Sequence, residues 1–582
     1  MYLHKCEVLV IGSGAAGLRA ATELHDKGLD VTVVGKCKRG DAHTVMATGG
    51  INAALGTMDP EDNWAIHAAD TLKEGRFLAN YRVVEALCKK APSAIKELES
   101  YGVPFAKSNG KLIQRFFGAH TYRRTCFVGD ETGKAILKAL VNQAKKRKFP
   151  FLEDIYITSL LLKNGSVNGA LGFDIKSSEI IVFSARCIVL ATGGHSRLYK
   201  RSSSRQFENT GDGVALAYKI GAELQDMEMM QFHPTGMVWP KEAEGILVTE
   251  AVRGEGGFLL NSKNERFMLR YDKERMELGP RDEVARAIYN EIAAGRGTKH
   301  NGVWLDITHS PKSYIKKRLP KMYRQFQHYL GLDISKERME VAPTAHYSMS
   351  GVRTNLDGST NIAGLFAVGE VTGGVHGANR LGGNSLLETI VFGKIVGNAA
   401  ANYAKKHALR PLDYNEIRKA KLKLNMFLGK KKGNPHKIKN ELQAMMWQHV
   451  GIVRNESDLK TSLRELEKTR KMIKKTRTGN KINNDFIAAW DVYNLLIAAE
   501  AVIRSALLRK ESKGAHYRSD YPKENNKWLV NIICKRKGNK MQLYRKKVAK
   551  PKGRVAFVLK KNLKPKVRVL HEEIIEGFEG KT

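Results

Sequence analysis

Residues 6–36 read CEVLVIGSGAAGLRAATELHDKGLDVTVVGK, and this stretch decides the fold. CEVLVI is a short apolar run. GSGAAG follows at 12–17, and the residues after it place apolar side chains at helical spacing. VTVVGK at 31–36 is a second strand-like run. The order is strand, glycine turn, helix, strand, with Gly12, Gly14 and Gly17 in GxGxxG register. The glycines permit a tight turn and close approach of backbone to a pyrophosphate, and the helix N-terminus then faces the phosphates. Alone the spacing is weak; in this context it marks a dinucleotide site. A simple nicotinamide site also carries an acid about 20 residues further on, against a ribose hydroxyl. Here the second strand ends in Gly35 and Lys36, which argues against that kind of site.

Working outward, two later segments read as strands of the same sheet. ARCIVLATGG at 185–194 ends in a glycine pair, and GLFAVGE at 364–370 ends in Glu370. Separated segments returning to one sheet imply a discontinuous nucleotide-binding unit. The expected organisation is α/β: a Rossmann-like domain over 1–233 and 346–402, with 234–345 inserted as an α+β capping domain. Residues 441–455, 458–475 and 484–510 read as amphipathic helices, giving a helical domain at 403–527. From 528 to 582 a basic C-terminal region is expected, in which WLVNIIC and RVAFVL read as short strands between lysines. There is no internal repeat.

The 582 residues suffice for roughly three or four domains, and 42% hydrophobic content suits buried cores. No apolar run reaches the ~18 residues of a membrane span. The N-terminus enters a strand-like run without signal- or transit-peptide features, so a soluble, cytoplasm-facing protein is expected. Cys6, Cys37, Cys88, Cys126, Cys187 and Cys534 form no CxxC and no zinc spacing, so neither a disulfide framework nor a metal is expected. An iron–sulfur cluster needs closely spaced cysteines, so electrons leaving by clusters would require another subunit. The formal charge is +39. Nucleic-acid binding is one reading of it, but neither a recognisable fold for it nor aromatic platforms accompany the basic runs. A solvated lysine-rich surface, or one set against an acidic membrane face, is favoured.

One further stretch asks for a role. GDAHTVMATGGINAALG at 40–56 is nearly all small or apolar residues with one imidazole, His43. Alone, His43 reads as a loop histidine with an ordinary hydrogen bond. It does not stand alone. RFFGAHTYRRT, GDETG, TGDGVALAYKIGAELQDMEMMQFHPTG, TEAVRGEGG, LGPRDEVARAI, HYSMSGV, VGEVTGGVHGANRLGGNSLLE and ESKGAHYRSDYP follow in order up to about residue 530. With them the chain resembles the flavoprotein subunits of succinate dehydrogenases and fumarate reductases. The last fifty residues carry nothing that adds to the likeness.

The resemblance implies FAD, joined covalently through His43 in HTVMATGG to the flavin 8α-methyl. It places Gly12, Gly14, Ala15, Gly17, Lys36, Thr44, Gly49, Gly50, Ala191, Thr192, Gly193, Asp212, Glu370, Asn384, Ser385 and Leu386 at the cofactor. It gives His233, Thr249, His346 and Arg380 to the carboxylates of succinate and fumarate, with Phe117 beside the substrate. Arginine suits bidentate carboxylate recognition and histidine a tunable donor. Arg281 would be the proton donor and acceptor for hydride transfer at FAD, with Glu250 and Arg253 completing its relay. Without the resemblance, those three read as a structural salt-bridge network. The implied partners are an iron–sulfur subunit, with membrane anchors reached through it, at the inner face of the cell membrane; nucleic acid is not expected.

L-aspartate oxidase is the competing reading within this resemblance. It holds FAD non-covalently, lacks the linking histidine, and has a glutamate where this chain has Phe117. A basic nucleic-acid-binding or scaffold protein on a flavin fold is the alternative from another class. Two departures from the family pattern stand out: Ala119 replaces the second glycine of FGG, and Lys513 stands where arginine is common. The same residues serve both reaction directions.

Overall fold

The computed structural model describes residues 2–563. Its centre is a five-stranded parallel sheet in the order Leu365–Ala367, Cys187–Leu190, Val8–Ile11, Val31–Val34, Phe151–Leu152. Parallel sheets are covered on both faces, so their strands are continuous apolar runs rather than alternating ones. VLVI, VTVV and CIVL are fully buried accordingly. The helices Ala15–Asp26 and Asn384–Lys406 lie against the sheet and each other, sharing one apolar core with it. Gly12 has φ +119°, and a Cβ there would stand 2.1 Å from Ala191 O. A Cβ on Gly17 would stand 2.0 Å from Gly12 O. These two glycines therefore set how closely turn, helix and neighbouring strand approach.

Residues between the third and last strands build two further sheets. Ile155–Lys163, Ser166–Asp174 and Ile180–Ser184 form an antiparallel meander, with Tyr2–Lys5 added in parallel at its edge. Met230–Met237, Met339–Ser348, Val303–Asp306 and Phe258–Leu260 form an antiparallel sheet with its own core, against which the helix Arg281–Glu291 packs.

The helices Pro435–Val450, Glu456–Lys475 and Asn484–Leu508 pack together. Asn484–Leu508 is long and apolar enough to cross a membrane, but 83% of its apolar window is buried in the protein. It is the core helix of this region. Lys513 is buried with its ammonium 3.2 Å from Glu524, so a cation is kept at the position where arginine was expected.

The C-terminal region departs from expectation in two ways. Val530–Lys537 pairs with Leu224–Gln225 and with Lys540–Lys547, so this stretch is integrated into the body. RVAFVL is not a strand: Gly553–Lys560 is a helix. Val555 and Leu559, four residues apart, share one helical face and pack with Ala68, Leu72 and Trp64 of the helix Trp64–Glu74. Period-four spacing outweighed β-branched composition. Residues 564–582 of the expected basic region lie outside the described residues.

Candidate functional site

The glycine turn opens on a cleft of about 1380 Å³, its mouth included. Gly12, Gly14 and Ala15 form one wall; Ala191, Thr192 and Gly193, following the Cys187–Leu190 strand, form the next. Glu370, Ser385 and Leu386 come from the C-terminal return of the sheet, and His43 and Thr44 from the small-residue loop. The helices starting at Ala15 and Asn384 have glycine N-caps; Thr44 Oγ1 accepts from Ala15 N at 3.1 Å and Leu381 O from Asn384 N at 3.2 Å, and the following residues of each first turn face the cleft. The remaining first-turn N–H groups and the positive dipole ends suit oxygen-rich, anionic parts of a ligand. Thr192 Oγ1 is buried here without a partner. An extended dinucleotide fits these donors.

Two residues expected at the cofactor do other work. Gly17 closes the helix onto the turn. The Asn384 side chain is turned away from the cleft: its Oδ1 accepts from Asn52 at 2.8 Å and meets His67 at 2.9 Å, and its amide donates to Thr71 at 2.9 Å. Only the backbone of its helix is left to face a ligand.

At one end of the cleft, Lys36 Nζ lies 2.9 Å from Asp491, 3.2 Å from Asp212 and 3.1 Å from Thr210. Tyr156 OH donates to the same two carboxylates, at 3.0 and 3.1 Å. The carboxylates that meet Lys36 at the end of the second strand thus come from distant sequence. Burial opposes the Lys36 charge, but Asp212 and Asp491 outweigh it and hold its pKa above the ordinary lysine value.

Also on the cleft wall, His43 opens a short 3₁₀ turn, His43–Met46. Its Nδ1 is 3.2 Å from Glu208 Oε2. Burial alone would lower the imidazole pKa; the Glu208 hydrogen bond and charge raise it overall. Burial would likewise raise Glu208, yet His43 and Arg205 bring it down to about 2. A carboxylate on Nδ1 fixes the tautomer and leaves Nε2 as the basic, nucleophilic nitrogen.

A smaller cavity of about 380 Å³ adjoins the cleft, sharing Ala47, Leu247, His346, Ser385 and Leu386 as walls. Phe117, His233, Thr249, Glu250, Arg281 and Arg380 all line it, as do Gly49 and Gly50. His233 and His346 sit on the paired strands Met230–Met237 and Met339–Ser348, with ring centroids 5.2 Å apart. Burial, reinforced by neighbouring cationic side chains, pushes both well below the ordinary histidine value, so both are neutral. His233 Nδ1 lies 2.9 Å from Thr235 O and 3.2 Å from Thr235 N, so either tautomer is satisfied locally. A bound carboxylate would select the one with a proton on Nε2.

Arg281 is the first residue of the helix Arg281–Glu291, where the dipole disfavours a cation. It is held there by Glu250, whose Oε2 accepts from Nε at 2.7 Å, and by Gln231, which accepts from a terminal nitrogen at 3.1 Å. Arg253 lies behind, outside the cavity, with a nitrogen 4.0 Å from Glu250. Arg380 donates to Ser385 at 3.1 Å, stacks over the Tyr347 ring, and has a buried Nε without a partner. Burial, then Arg281, bring its pKa down to about 9. The cavity is therefore lined by two guanidiniums, Arg281 and Arg380, against one carboxylate that Arg281 already pairs and Arg253 backs, which suits an anion.

A model described as an FAD-binding domain matches residues 7–386, and one described as the fumarate reductase flavoprotein C-terminus matches 439–569. One subunit of the CoM/CoB fumarate reductase of Methanothermobacter marburgensis is 45% identical over 92% of this chain and 98% of its own. The succinate dehydrogenase flavoprotein subunit of Rickettsia bellii is 38% identical over 91% and 93%. The solved structure of Mycobacterium smegmatis Sdh1 in complex with UQ1 has a TM-score of 0.86 at 40% identity, covering 95% of this chain and 96% of its own.

The chain belongs to the succinate dehydrogenase and fumarate reductase flavoprotein family.

As a member of that family it is an FAD-dependent oxidoreductase, and the FAD-binding match spans all five strands around the cleft. The family match also runs past residue 530, correcting the reading that the last fifty residues carry no likeness. Several site residues escaped the sequence. Gln231 lay two positions before His233 in QFHPTG, on the same face of a strand, and that spacing could have flagged it. Glu208 stood just before the quoted TGDG segment. Tyr156 and Asp491 had no local signal.

Proposed function

We propose that this chain is the flavoprotein catalytic subunit that interconverts succinate and fumarate. The observation that carries the reading is the cavity beside the FAD cleft, lined by Arg281 and Arg380 with Glu250 as its single carboxylate, which is already paired with Arg281 and backed by Arg253. FAD, when bound, supplies the two-electron chemistry for hydride transfer. The chain's own residues do the rest. Arg380, His233, His346 and Thr249 bind the two carboxylates and orient the substrate. Phe117 presents an apolar wall that excludes water. Arg281 holds and moves the proton, and Glu250 with Arg253 restores it. The His43 imidazole, with Glu208 on Nδ1, is the covalent attachment point for FAD.

The cavity offers an amino group no free carboxylate: Glu250, the one in its lining, already accepts from Arg281 and from Gly118 N at 2.7 Å. That favours a dicarboxylate without an ammonium over L-aspartate. In this reading 1–233 and 346–402 hold FAD, 234–345 caps the substrate, 403–527 is the helical domain, and 528–582 is the basic region. Among the described residues no group of three or more His, Cys, Asp or Glu is arranged to hold a metal ion. A separate iron–sulfur subunit carries the electrons, and the chain sits peripherally at the inner face of the cell membrane. One relative is named for CoM/CoB and another was solved with UQ1, so membership of the family does not fix the electron carrier.

The test is a succinate-dependent dye-reduction assay beside a denaturing gel viewed under ultraviolet light. A fluorescent band and succinate-driven reduction are expected. A dark band with aspartate oxidation would overturn the proposal in favour of the oxidase.

A further inference from the structure

On the other side of Leu216 from the cofactor cleft is a second opening of about 1150 Å³, its mouth included. Its walls are the strand Ile155–Lys163, the end of the helix Asp212–Lys219, the helix Tyr414–Leu424 and the hairpin of Val530–Lys537 with Lys540–Lys547. Lys219, Lys419, Lys423 and Arg536 all line it. The one carboxylate in the lining, Glu416, is 2.8 Å from Lys419. Among the described residues no ion pair joins Lys219, Lys423 or Arg536 to a carboxylate.

Those three cations are instead held by neutral groups. Lys219 Nζ donates to Asn494 at 2.7 Å and lies over the rings of Trp490 and Tyr493. Lys423 Nζ lies 5.6 Å from the centre of the same Tyr493 ring. Arg536 donates to the carbonyls of Lys219 and Gly538. Burial and the neighbouring Lys423 push Lys219 well below the usual lysine value, and burial and Arg536 lower Lys423. Lys219 and Lys423 are half-buried and Arg536 is exposed; like charges gathered around one opening repel one another, and a bound anion removes that cost. Lysine is a point-charge phosphate binder, and the guanidinium adds a fork.

We propose that this pocket binds a small anion carrying two or more phosphate-type groups. Lys219, Lys423 and Arg536 contact it, and Trp490 beside Lys219 reports its arrival.

The test is calorimetric titration of the FAD-loaded full-length chain with pyrophosphate in about 0.15 M salt, where screening over ~8 Å suppresses the diffuse attraction of a +39 surface. One equivalent should bind, with a change in tryptophan fluorescence. Lys423→Gln and Arg536→Gln should each weaken binding roughly tenfold or more. Lys468→Gln, at an exposed helix position, should leave it unchanged. Unaltered flavin content shows that the variants fold. Binding of many equivalents, no binding, or equal affinity in Lys423→Gln would each overturn the proposal.

Discussion

Arg281 and Glu250 meet side-on: Nε donates to Glu250 Oε2 at 2.7 Å, and a terminal nitrogen lies 2.5 Å from the same oxygen. The other carboxylate oxygen accepts from Gly118 N. Burial favours a protonated Glu250, but Arg281 and Arg253 hold it well below the usual carboxylate range. The pair is thus a pinned guanidinium on a permanent anion. Arg281→Gln should lose turnover by ~10³-fold or more, within the span removed with a general acid. The flavin absorbance should be retained. Substantial residual succinate oxidation would remove Arg281 from its role.

Glu208 gives a second expectation. Without a carboxylate on Nδ1, the His43 Nε2 is less basic and less well oriented. Glu208→Gln should slow covalent attachment by roughly tenfold, the scale at which such supporting partners act. His43→Ser should abolish it, leaving FAD extractable by acid. In-gel fluorescence against total flavin measures both. Full covalent loading in Glu208→Gln at early times would count against the idea.

Much of this was legible in the chain because local motifs carry their own geometry. GSGAAG announced a turn between strand and helix, and QFHPTG, TEAVRGEGG and GANRLGGN carried six of the cavity's lining side chains or their immediate support. What was not legible is held together across sequence. Lys36 meets Asp491 over 455 residues, and Tyr156 meets it over 335. Only the fold brings such partners together, and no spacing encodes them. Asn384 was legible as a position but not as a direction, because the first turn of a helix presents backbone to a ligand and sends side chains elsewhere.

Ala119 supplies a stability test. It has φ +66°, the left-handed region that a glycine would enter without strain. Ala119→Gly should raise stability by about 1 kcal/mol, seen as a higher Tm, with unchanged KM for succinate. A lower Tm would show that the methyl group's contacts outweigh the backbone strain.

Acid lability follows from buried histidines. Burial brings His195 down to about 4 and His67 to about 3, and both ring nitrogens of His195 lack partners. An unfolded histidine titrates near 6.5. Between that value and pH ~4 the unfolded chain binds a proton that native His195 refuses, so stability falls as pH falls through this window. His195 alone contributes a loss of roughly 3 kcal/mol by pH ~4. Denaturant midpoints at pH ~7 and ~5 should differ, and less so in His195→Asn. Midpoints independent of pH across that range would contradict the assignment.

The ammonium of Lys36 has a further consequence, because one of its counter-charges, Asp491, belongs to the Asn484–Leu508 helix. A polypeptide still emerging from the ribosome has its glycine turn and first strands long before it has Asp491. Until that helix arrives, the cradle holds a cation only partly neutralised. The cradle of Lys36 is therefore complete only once residues 484–508 have been added, and a chain that stops before them lacks one of the two carboxylates that hold this ammonium.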